Sequence, residues 1–186
     1  NDSFARFPRE ASMDFVAYST SRVRRSSSAA TSIFPSGSTN TSAKGSTCDA
    51  FARGEPFVGQ AGRLLDNMLA AVGLKRDANV YIANVLKCRP PGNRNPAPSE
   101  VGQCSPHLTR QIALIQPKLI LAMGRFAAQT LLGTDASIAS LRGRLFRYQG
   151  VPLIVSYHPA YLLRTLPDKA KAWEDLLLAR RTAAAG

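Results

Sequence analysis

The amino-acid sequence predicts an α/β protein, a three-layer α/β/α sandwich with a mostly parallel central sheet. From residue 54 onward, strand-type apolar runs alternate with segments of helical periodicity, an order typical of a parallel sheet covered on both faces. Within Lys118–Met123, the run Leu119-Ile120-Leu121 does not alternate with polar residues, as expected of a strand buried on both sides. The apolar content of 45% is sufficient for the core of one such domain.

The first part of this region predicts two helices and two strands. Gln60–Val72 carries apolar residues at helical spacing and is followed by a glycine, which commonly ends a helix. Val80–Leu86 predicts a short strand, and residues 88–98 form a loop rich in proline and arginine. Ser99–Ile115 predicts the second helix, and Lys118–Met123 predicts the second strand.

The second part predicts a helix, a β-hairpin and a final helix. The helix covers Arg125–Leu132 and is ended by a glycine. The hairpin is expected to pair Leu141–Tyr148 with Val151–Tyr157 around the turn Gln149-Gly150. Lys169–Arg181 has the apolar spacing of an amphipathic helix.

Residues 1–52 differ in composition from the rest of the chain. Between Ser19 and Thr47, 15 of 29 residues are serine or threonine, without apolar periodicity. Such a segment buries too little apolar surface to offset chain entropy, so we predict that it is disordered or poorly packed. The composition changes abruptly near Ala52, which suggests that the first third is aberrant, translated from a shifted reading frame. We therefore predict a low-complexity segment over residues 1–52 and a folded domain over residues 53–186.

The charge of the chain favours a nucleic-acid partner. The formal net charge is +12, and residues 52–186 carry +10 of it, so the excess lies in the folded body. A polyanion is the partner that such a surface favours, although a basic surface that is merely solvated is the alternative. The sequence has neither an apolar run long enough to cross a membrane nor a secretory pattern. Three cysteines, an odd number, indicate reduced thiols or metal ligands, and we expect a cytoplasmic protein.

The stretch Ser156–Arg164 is the first candidate site. His158 follows an apolar strand and precedes a proline, so it is expected to be extended, with a helical turn beginning at Pro159. At the end of a parallel strand, an imidazole and nearby backbone N–H groups can together stabilise developing negative charge. A purely structural histidine is the alternative.

Two cysteines separated by fifteen residues, Cys88 and Cys104, are the second candidate. Thiolates bind zinc or iron–sulfur clusters, but such sites generally take four protein ligands. Cys48 is the only third cysteine, and His107 is a possible fourth ligand. Two cysteines without metal are the alternative.

Asn84 and Phe57 are the remaining candidates. Asn84 ends a predicted strand, where its amide can face the same crevice as the histidine and read the polar edge of a pyrimidine. Phe57 lies in a loop bounded by glycine and proline, where an aromatic ring can stack on a base. Loop capping by the asparagine and core packing by the phenylalanine are the alternatives.

Three segments, taken in order, resemble the type-4 uracil-DNA glycosylases of bacteria and archaea. They are the residues Gly54-Glu55-Pro56-Phe57-Val58-Gly59-Gln60-Ala61-Gly62, Tyr81-Ile82-Ala83-Asn84-Val85-Leu86-Lys87-Cys88-Arg89-Pro90-Pro91 and His158-Pro159-Ala160-Tyr161-Leu162-Leu163-Arg164. The resemblance extends from about residue 54 to about residue 178, and Leu141-Arg142-Gly143 fits the same family. It implies the glycosylase fold and the hydrolysis of the N-glycosidic bond of uracil in DNA, which starts base-excision repair.

The resemblance also implies roles for individual residues. Phe57 would stack on the flipped uracil, Asn84 would read its polar edge, and His158 would donate to uracil O2 as the catalytic residue. Leu162 and Leu163 would press into the minor groove. The basic residues Arg164, Lys87, Arg89 and Arg94 would contact phosphates.

The family holds a four-iron–four-sulfur cluster on four cysteines, and Cys88 and Cys104 match its second pair. The family's first cysteine pair and its Gly-Glu-Ala-Pro-Gly motif have no counterpart in residues 1–52. A catalytically impaired DNA-binding remnant of the same fold is therefore the alternative function, and a metal-binding structural or redox protein is a third. We expect a monomer with uracil-containing DNA as its partner and no membrane association.

Overall fold

The computed structural model describes residues 57, 59–76, 78–86 and 95–185. It also describes the backbone of residues 14–18, which form a strand. The strands in this part of the chain are β1 (Asp14–Tyr18), β2 (Val80–Asn84), β3 (Leu119–Met123), β4 (Leu145–Tyr148) and β5 (Val151–Ser156). The helices are α1 (Gln60–Ala71), α2 (Pro98–Ile115), α3 (Arg125–Leu132), α4 (Ile138–Leu141), α5 (Pro159–Leu162) and α6 (Asp168–Ala185).

The five strands form one mixed sheet in the order β2-β1-β3-β5-β4. β3 and β5 pair in parallel, whereas β4 is antiparallel to β5 and β1 is antiparallel to both of its neighbours. Consequently β2, β3 and β5 run in the same direction, and their carboxyl ends lie at one edge of the sheet. The predicted α/β class is confirmed, and three of the five strands share one direction.

Two hydrophobic clusters, one on each face of the sheet, form the three layers. On β3, Leu121 and Met123 belong to the cluster that contains α1 and α6, whereas Ile120 and Ala122 belong to the cluster that contains α2 and α3. Alternate residues of a strand point to opposite faces, so an uninterrupted apolar strand contributes to both clusters at once. All five residues of β3 are buried, as the sequence predicted.

β1 was not predicted. It lies within the Ser/Thr-rich first third, between β2 and β3, as a run of aspartate, phenylalanine, valine, alanine and tyrosine. Aromatic and β-branched residues favour strands, but a five-residue run without neighbours of the same kind gives little signal in the sequence. The rest of residues 1–52 lies outside the described residues, so the domain boundary and the reading-frame hypothesis stay predictions.

The other elements follow the predicted order with two differences. α2 begins at Pro98, and the Glu100 carboxylate accepts the Ala97 N–H at 2.7 Å, which satisfies one of the backbone donors at the helix start. The predicted strand from residue 141 begins only at Leu145. Ile138–Leu141 instead forms the helical turn α4, because the Ser137 side chain caps it by accepting the Ser140 N–H at 3.3 Å.

None of the helices in the described ranges has the length and apolar character needed to span a bilayer.

Candidate active site

The carboxyl ends of the strands that share a direction form the edge on which the candidate site lies. Asp14 of β1 pairs with both Asn84 of β2 and Met123 of β3, and Met123 pairs with Ser156 of β5. These four positions therefore form one row across the sheet. At the usual strand spacing, Asn84 and Ser156 lie roughly 14 Å apart along this edge. His158 follows two residues after Ser156, so the asparagine and the histidine lie at the same edge, as the sequence predicted.

His158 is buried and caps α5. Its Nδ1 accepts the backbone N–H of Ala160 at 3.0 Å. A ring nitrogen that accepts a hydrogen bond carries no proton, so the neutral ring holds its proton on Nε2. His158 is thus fixed as an Nε2–H donor. The Ala160 N–H is used inside the protein, so this particular backbone donor does not face a ligand, and the expected cooperation of backbone donors with the imidazole stays a prediction.

The backbone of Gly124, directly after β3, packs against the side chain of His158. The Gly124 N–H donates to the Ser156 carbonyl at 2.9 Å, which joins the ends of β3 and β5. A Cβ at this position would lie 3.2 Å from the His158 Cβ, and the backbone has a φ of +92°, a region that favours glycine. The close approach of this backbone to the imidazole therefore requires a glycine.

Phe57 stacks directly on the His158 ring. The ring centroids are 5.3 Å apart with an interplanar angle of 18°. Phe57 has a φ of +59°, and its carbonyl lies so close to α1 that a Cβ on Gly62 would come within 1.9 Å of it. α1 also packs against α5, the helix that His158 caps. The structure thus brings two of the three predicted uracil-contacting residues into contact.

Asn84 ends β2 and is half-buried, with its Oδ1 atom buried. In the sheet, β1 and β3 lie between β2, which carries Asn84, and β5. An amide carries both a donor and an acceptor, which suits the edge of a planar heterocycle. Its contact with uracil remains a prediction.

The two predicted wedge leucines lie in different environments. Leu162, the last residue of α5, is 0% exposed, so its side chain is part of the interior and the prediction that it presses into DNA is wrong. The helical turn that begins at Pro159 directs this side chain inward. Leu163 is 39% exposed and Leu166 is 60% exposed, and Arg164 is exposed between them. Insertion of Leu163 into the minor groove therefore remains a prediction.

Cys104 lies on α2, half-buried against the cluster that contains α2 and α3. His107 is exposed on the same helix, and no group of three or more potential metal ligands is present among the residues with described positions. The predicted residues Lys87, Cys88, Arg89 and Arg94 lie outside the described residues, as does Cys48. The 186 residues contain three cysteines, whereas an iron–sulfur cluster held only by cysteines takes four thiolates. The donor set of this chain therefore does not fit a complete four-thiolate site.

An ion pair that the sequence did not reveal lies next to the segment Tyr157–Tyr161, which contains His158 and is called the histidine loop below. Arg142, between α4 and β4, pairs with Asp175 of α6, and its guanidinium lies 4.9 Å from the centre of the Tyr157 ring. The two residues are 33 positions apart, a separation at which no sequence periodicity connects an arginine to an aspartate. The only signal was the motif Leu141-Arg142-Gly143, which resembles the family without indicating a role.

Comparison with known proteins agrees with this geometry. The type-4 uracil-DNA glycosylase of Archaeoglobus fulgidus is 46% identical over 123 residues, which are 62% of this chain and 61% of the relative. The enzyme of the same name from Sulfurisphaera tokodaii is 44% identical over 131 residues, 66% of this chain and 59% of the relative. That from Pyrobaculum aerophilum is 39% identical over 135 residues, 67% of each chain.

The chain spans about three fifths of the length of the first two relatives. A sequence model of the uracil DNA glycosylase superfamily matches residues 42–177, which include the Phe57 loop, Asn84, His158 and Arg142. The match covers well over half of the chain and all of the described strand-end edge after β1. This chain belongs to the uracil DNA glycosylase superfamily.

Proposed function

We propose that this protein removes uracil from DNA by hydrolysing the N-glycosidic bond, the first step of base-excision repair. One observation carries the proposal: the His158 imidazole, held as an Nε2–H donor at the end of β5, lies against the Phe57 ring. The relatives named type-4 uracil-DNA glycosylases support the choice of substrate. In this proposal the protein acts as a cytoplasmic monomer.

His158 stabilises the leaving base. When the N-glycosidic bond breaks, the bonding electrons stay with uracil, which becomes an anion with charge on O2, while the sugar acquires oxocarbenium character. Water then adds to C1′ of the sugar, and the proton that it loses balances the charge of the uracil anion. The His158 Nε2–H donates a hydrogen bond to O2 and favours this charge in the transition state. Because Nδ1 accepts the Ala160 N–H, the ring does not need to reorient or change its tautomer as the charge develops.

Phe57 and Asn84 hold the base in place. A glycosylase can reach the bond only after the nucleotide has left the stack, so the extruded base needs a surface to replace the stacking it loses. Phe57 supplies an aromatic face beside the imidazole. Asn84, at the same sheet edge, supplies an amide for the polar edge of uracil.

The DNA lies across the surface next to this edge. Leu163, partly exposed immediately after α5, is the wedge that fills the space left by the flipped base. The phosphate contacts come from basic residues, Arg164, Lys87, Arg89 and Arg94. The net charge of +12, of which residues 52–186 carry +10, favours binding of a polyanion.

The chemistry in this proposal requires no metal. Cys88 and Cys104 are the residues that would hold part of an iron–sulfur cluster, and such a cluster would stabilise the loop between β2 and α2 rather than react with uracil. Because the donor set is incomplete, no catalytic step depends on it.

The test is uracil release from a duplex oligonucleotide with one U·G pair, followed by alkaline cleavage under single-turnover conditions. We expect release by the wild type and a rate lower by about 10²- to 10³-fold in His158→Ala, the loss typical of one donor to a developing anion. His107→Ala is the matched control, since His107 is the only other histidine and is exposed on α2. Absence of release by the wild type would overturn the proposal. Binding of the duplex without release would then indicate the DNA-binding remnant.

A further inference from the structure

We propose that Arg142, held by the buried Asp175, is a positioning residue that fixes the His158 imidazole through Tyr157. This inference rests on the proposed function, since it assigns a new residue to the same site. It concerns residues that the uracil contacts do not include and that lie on α6 and on the segment between α4 and β4.

The Arg142–Asp175 pair is bidentate and buried. Arg142 Nε donates to Asp175 Oδ2 at 2.7 Å and Nη2 donates to Oδ1 at 3.0 Å. The side chains are 11% and 1% exposed, respectively. Nη2 also donates to the Lys171 carbonyl, one turn earlier on α6. The guanidinium is therefore fixed in position and plane by three hydrogen bonds from one helix.

A pair of this kind needs an explanation other than stability. Burial raises the pKa of Asp175, while Arg142, the Ser156 hydroxyl and the Gly143 N–H oppose that shift. Buried ion pairs rarely stabilise a fold more than well-packed apolar residues of similar volume, because desolvation offsets their attraction. A charged pair at this position is better explained by the geometry that it imposes on its neighbour.

The neighbour is Tyr157, the residue directly before His158. The Arg142 guanidinium lies 4.9 Å from the centre of its ring, within the range of a cation–π contact. Tyr157 also stacks on Tyr161 at 5.0 Å with an interplanar angle of 26°. The two tyrosines flank His158, Pro159 and Ala160, the residues that carry the imidazole and its backbone donor.

The second tyrosine is attached to the same helix. The Tyr161 hydroxyl donates to Asp168 Oδ2 at 2.6 Å, and Lys171 contacts the other carboxylate oxygen at 2.8 Å. Both sides of the histidine loop are thus connected to α6, by Arg142–Asp175 through Tyr157 and by Asp168 through Tyr161. Because the His158 Nδ1 bond to Ala160 closes within this loop, its geometry depends on both connections.

The double variant Arg142→Met, Asp175→Leu separates positioning from stability. It replaces the pair by apolar residues of similar length, so no buried charge is left alone, but it removes the contact to Tyr157. The control is Arg76→Met, Asp66→Leu, which removes a more exposed 2.9 Å ion pair between the middle of α1 and the segment after it, far in sequence from the histidine loop. Thermal unfolding of both variants reports any loss of stability.

The first readout is the state of the imidazole and requires no enzymatic activity. The chain has two histidines, so ¹⁵N-histidine labelling gives two sets of imidazole signals, each with one signal from Nδ1 and one from Nε2, and His107→Gln assigns the sets. We expect one fixed Nε2–H tautomer for His158 in the wild type and in the control. In the double variant we expect a mixture of tautomers, because Nδ1 is no longer held against the Ala160 N–H. A single, unchanged Nε2–H tautomer in the folded double variant would overturn the inference.

The second readout is single-turnover uracil release. We expect the double variant to be slower by at least about tenfold with unchanged DNA affinity, because small displacements of a reacting group reduce the rate strongly. If the wild type releases no uracil, the proposed function fails, while the tautomer measurement still decides the inference. If the wild type is active and the folded double variant is equally fast, the inference is wrong and the function stands.

Tyr157→Leu covers the case in which the double variant does not fold. It keeps the Arg142–Asp175 pair and removes the ring through which that pair acts. We expect the same mixture of tautomers as in the double variant, whereas Tyr157→Phe, which keeps the ring, retains the single tautomer. A single Nε2–H tautomer in Tyr157→Leu would also contradict the inference.

Discussion

The position of the histidine in the candidate site depends on the glycines around it as well as on its own hydrogen bond. Gly124 allows the backbone after β3 to approach the His158 Cβ, and Gly62 allows α1 to approach the Phe57 carbonyl. Each glycine supports one ring of the Phe57–His158 stack. The stack therefore depends on two positions that have no side chain.

Gly124→Ala is expected to lower the rate of uracil release at least about tenfold, because the added Cβ at 3.2 Å displaces the histidine. The unfavourable φ should also destabilise the fold by about 1 kcal/mol or more. Gly150→Ala is the control, since its φ is +83° but nothing lies within 4 Å of the added atom. Single-turnover rates and thermal unfolding of both variants check the prediction, and equal losses of rate in both would show that contact with the histidine is unimportant.

At this scale, the sequence predicts which residues have the right chemistry but not which way they point. His158 and Phe57 could be chosen from their residue types and flanking prolines and glycines. Leu162 and Leu163 are identical residues next to each other, and only the packing of a four-residue helix buries the first and exposes the second. Arg142 was unrecognisable as part of the site because its partners are distant in sequence.

At the scale of secondary-structure elements, two helices each contain a glycine near their amino-terminal end whose replacement can be tested. α1 and α2 each contain a glycine, at Gly62 and Gly102. The same substitution should have opposite effects at the two positions, because their surroundings differ.

Gly102→Ala is expected to stabilise the protein by about 0.5–1 kcal/mol, since alanine is the better helix former and nothing lies within 4 Å of the added Cβ. Gly62→Ala is expected to destabilise it, because the added Cβ would lie 1.9 Å from the Phe57 carbonyl oxygen and must push the loop away. Thermal unfolding of the two variants compares them directly. A stabilised Gly62→Ala protein would show that the Phe57 loop is not held against α1.

The start of α6 carries a pH-dependent contribution to stability. Hydrogen bonds from Lys171 and Tyr161 lower the pKa of Asp168 below its ordinary value of 3.8. A carboxylate with a lowered pKa in the folded state stabilises the fold above its unfolded pKa, and the contribution disappears as the pH falls through the folded pKa.

We therefore expect Asp168→Asn to unfold at a lower temperature than the wild type at pH 7 and pH 5, with a difference that shrinks as the pH falls below the ordinary aspartate pKa and through the lower folded-state pKa. Thermal unfolding at these pH values is the measurement. Asp135→Asn, which changes an exposed aspartate in the loop after α3, is the control. A difference for Asp168→Asn that persists at low pH would mean that the carboxylate charge is not its cause.

The elements themselves were largely predictable, because hydrophobic periodicity and glycine stops are local signals. α3 spans the predicted residues Arg125–Leu132, and β3 differs from its prediction by one residue. The direction of β1 and the helical turn at Ile138–Leu141 were not predictable, since sheet pairing and a serine cap outweigh local propensity there.

At the scale of the whole molecule, charge governs the encounter with DNA. Residues 52–186 carry +10 of the net charge of +12, and α6 carries basic residues from Lys169 to Arg181. Arg164 lies beside the candidate site, whereas Arg181 lies about 20 Å along α6 from its first turn, at the helical rise per residue.

Binding to a 20-base-pair duplex is expected to weaken linearly in log affinity against log salt concentration. Arg164→Ala should reduce the slope by about one unit, the value for a single phosphate contact. Arg181→Ala should leave the slope nearly unchanged because of its distance from the site. Fluorescence anisotropy between 50 and 300 mM salt, roughly the range over which such slopes are resolved, is the measurement. Equal slopes for the wild type and Arg164→Ala would remove Arg164 from the DNA interface.

The position of β1 has a consequence for how the sheet forms. β2 and β3 have no direct pairing, and both bond to a strand that precedes them by a long stretch of chain. Before β1 pairs with them, β2 and β3 each have an unpaired edge. Pairings between segments that are distant in sequence form slowly. A strand from a second molecule can occupy the same gap, so we expect refolding yields to fall as the protein concentration rises. We therefore expect the pairing of β1 within one chain to compete with strand exchange between chains.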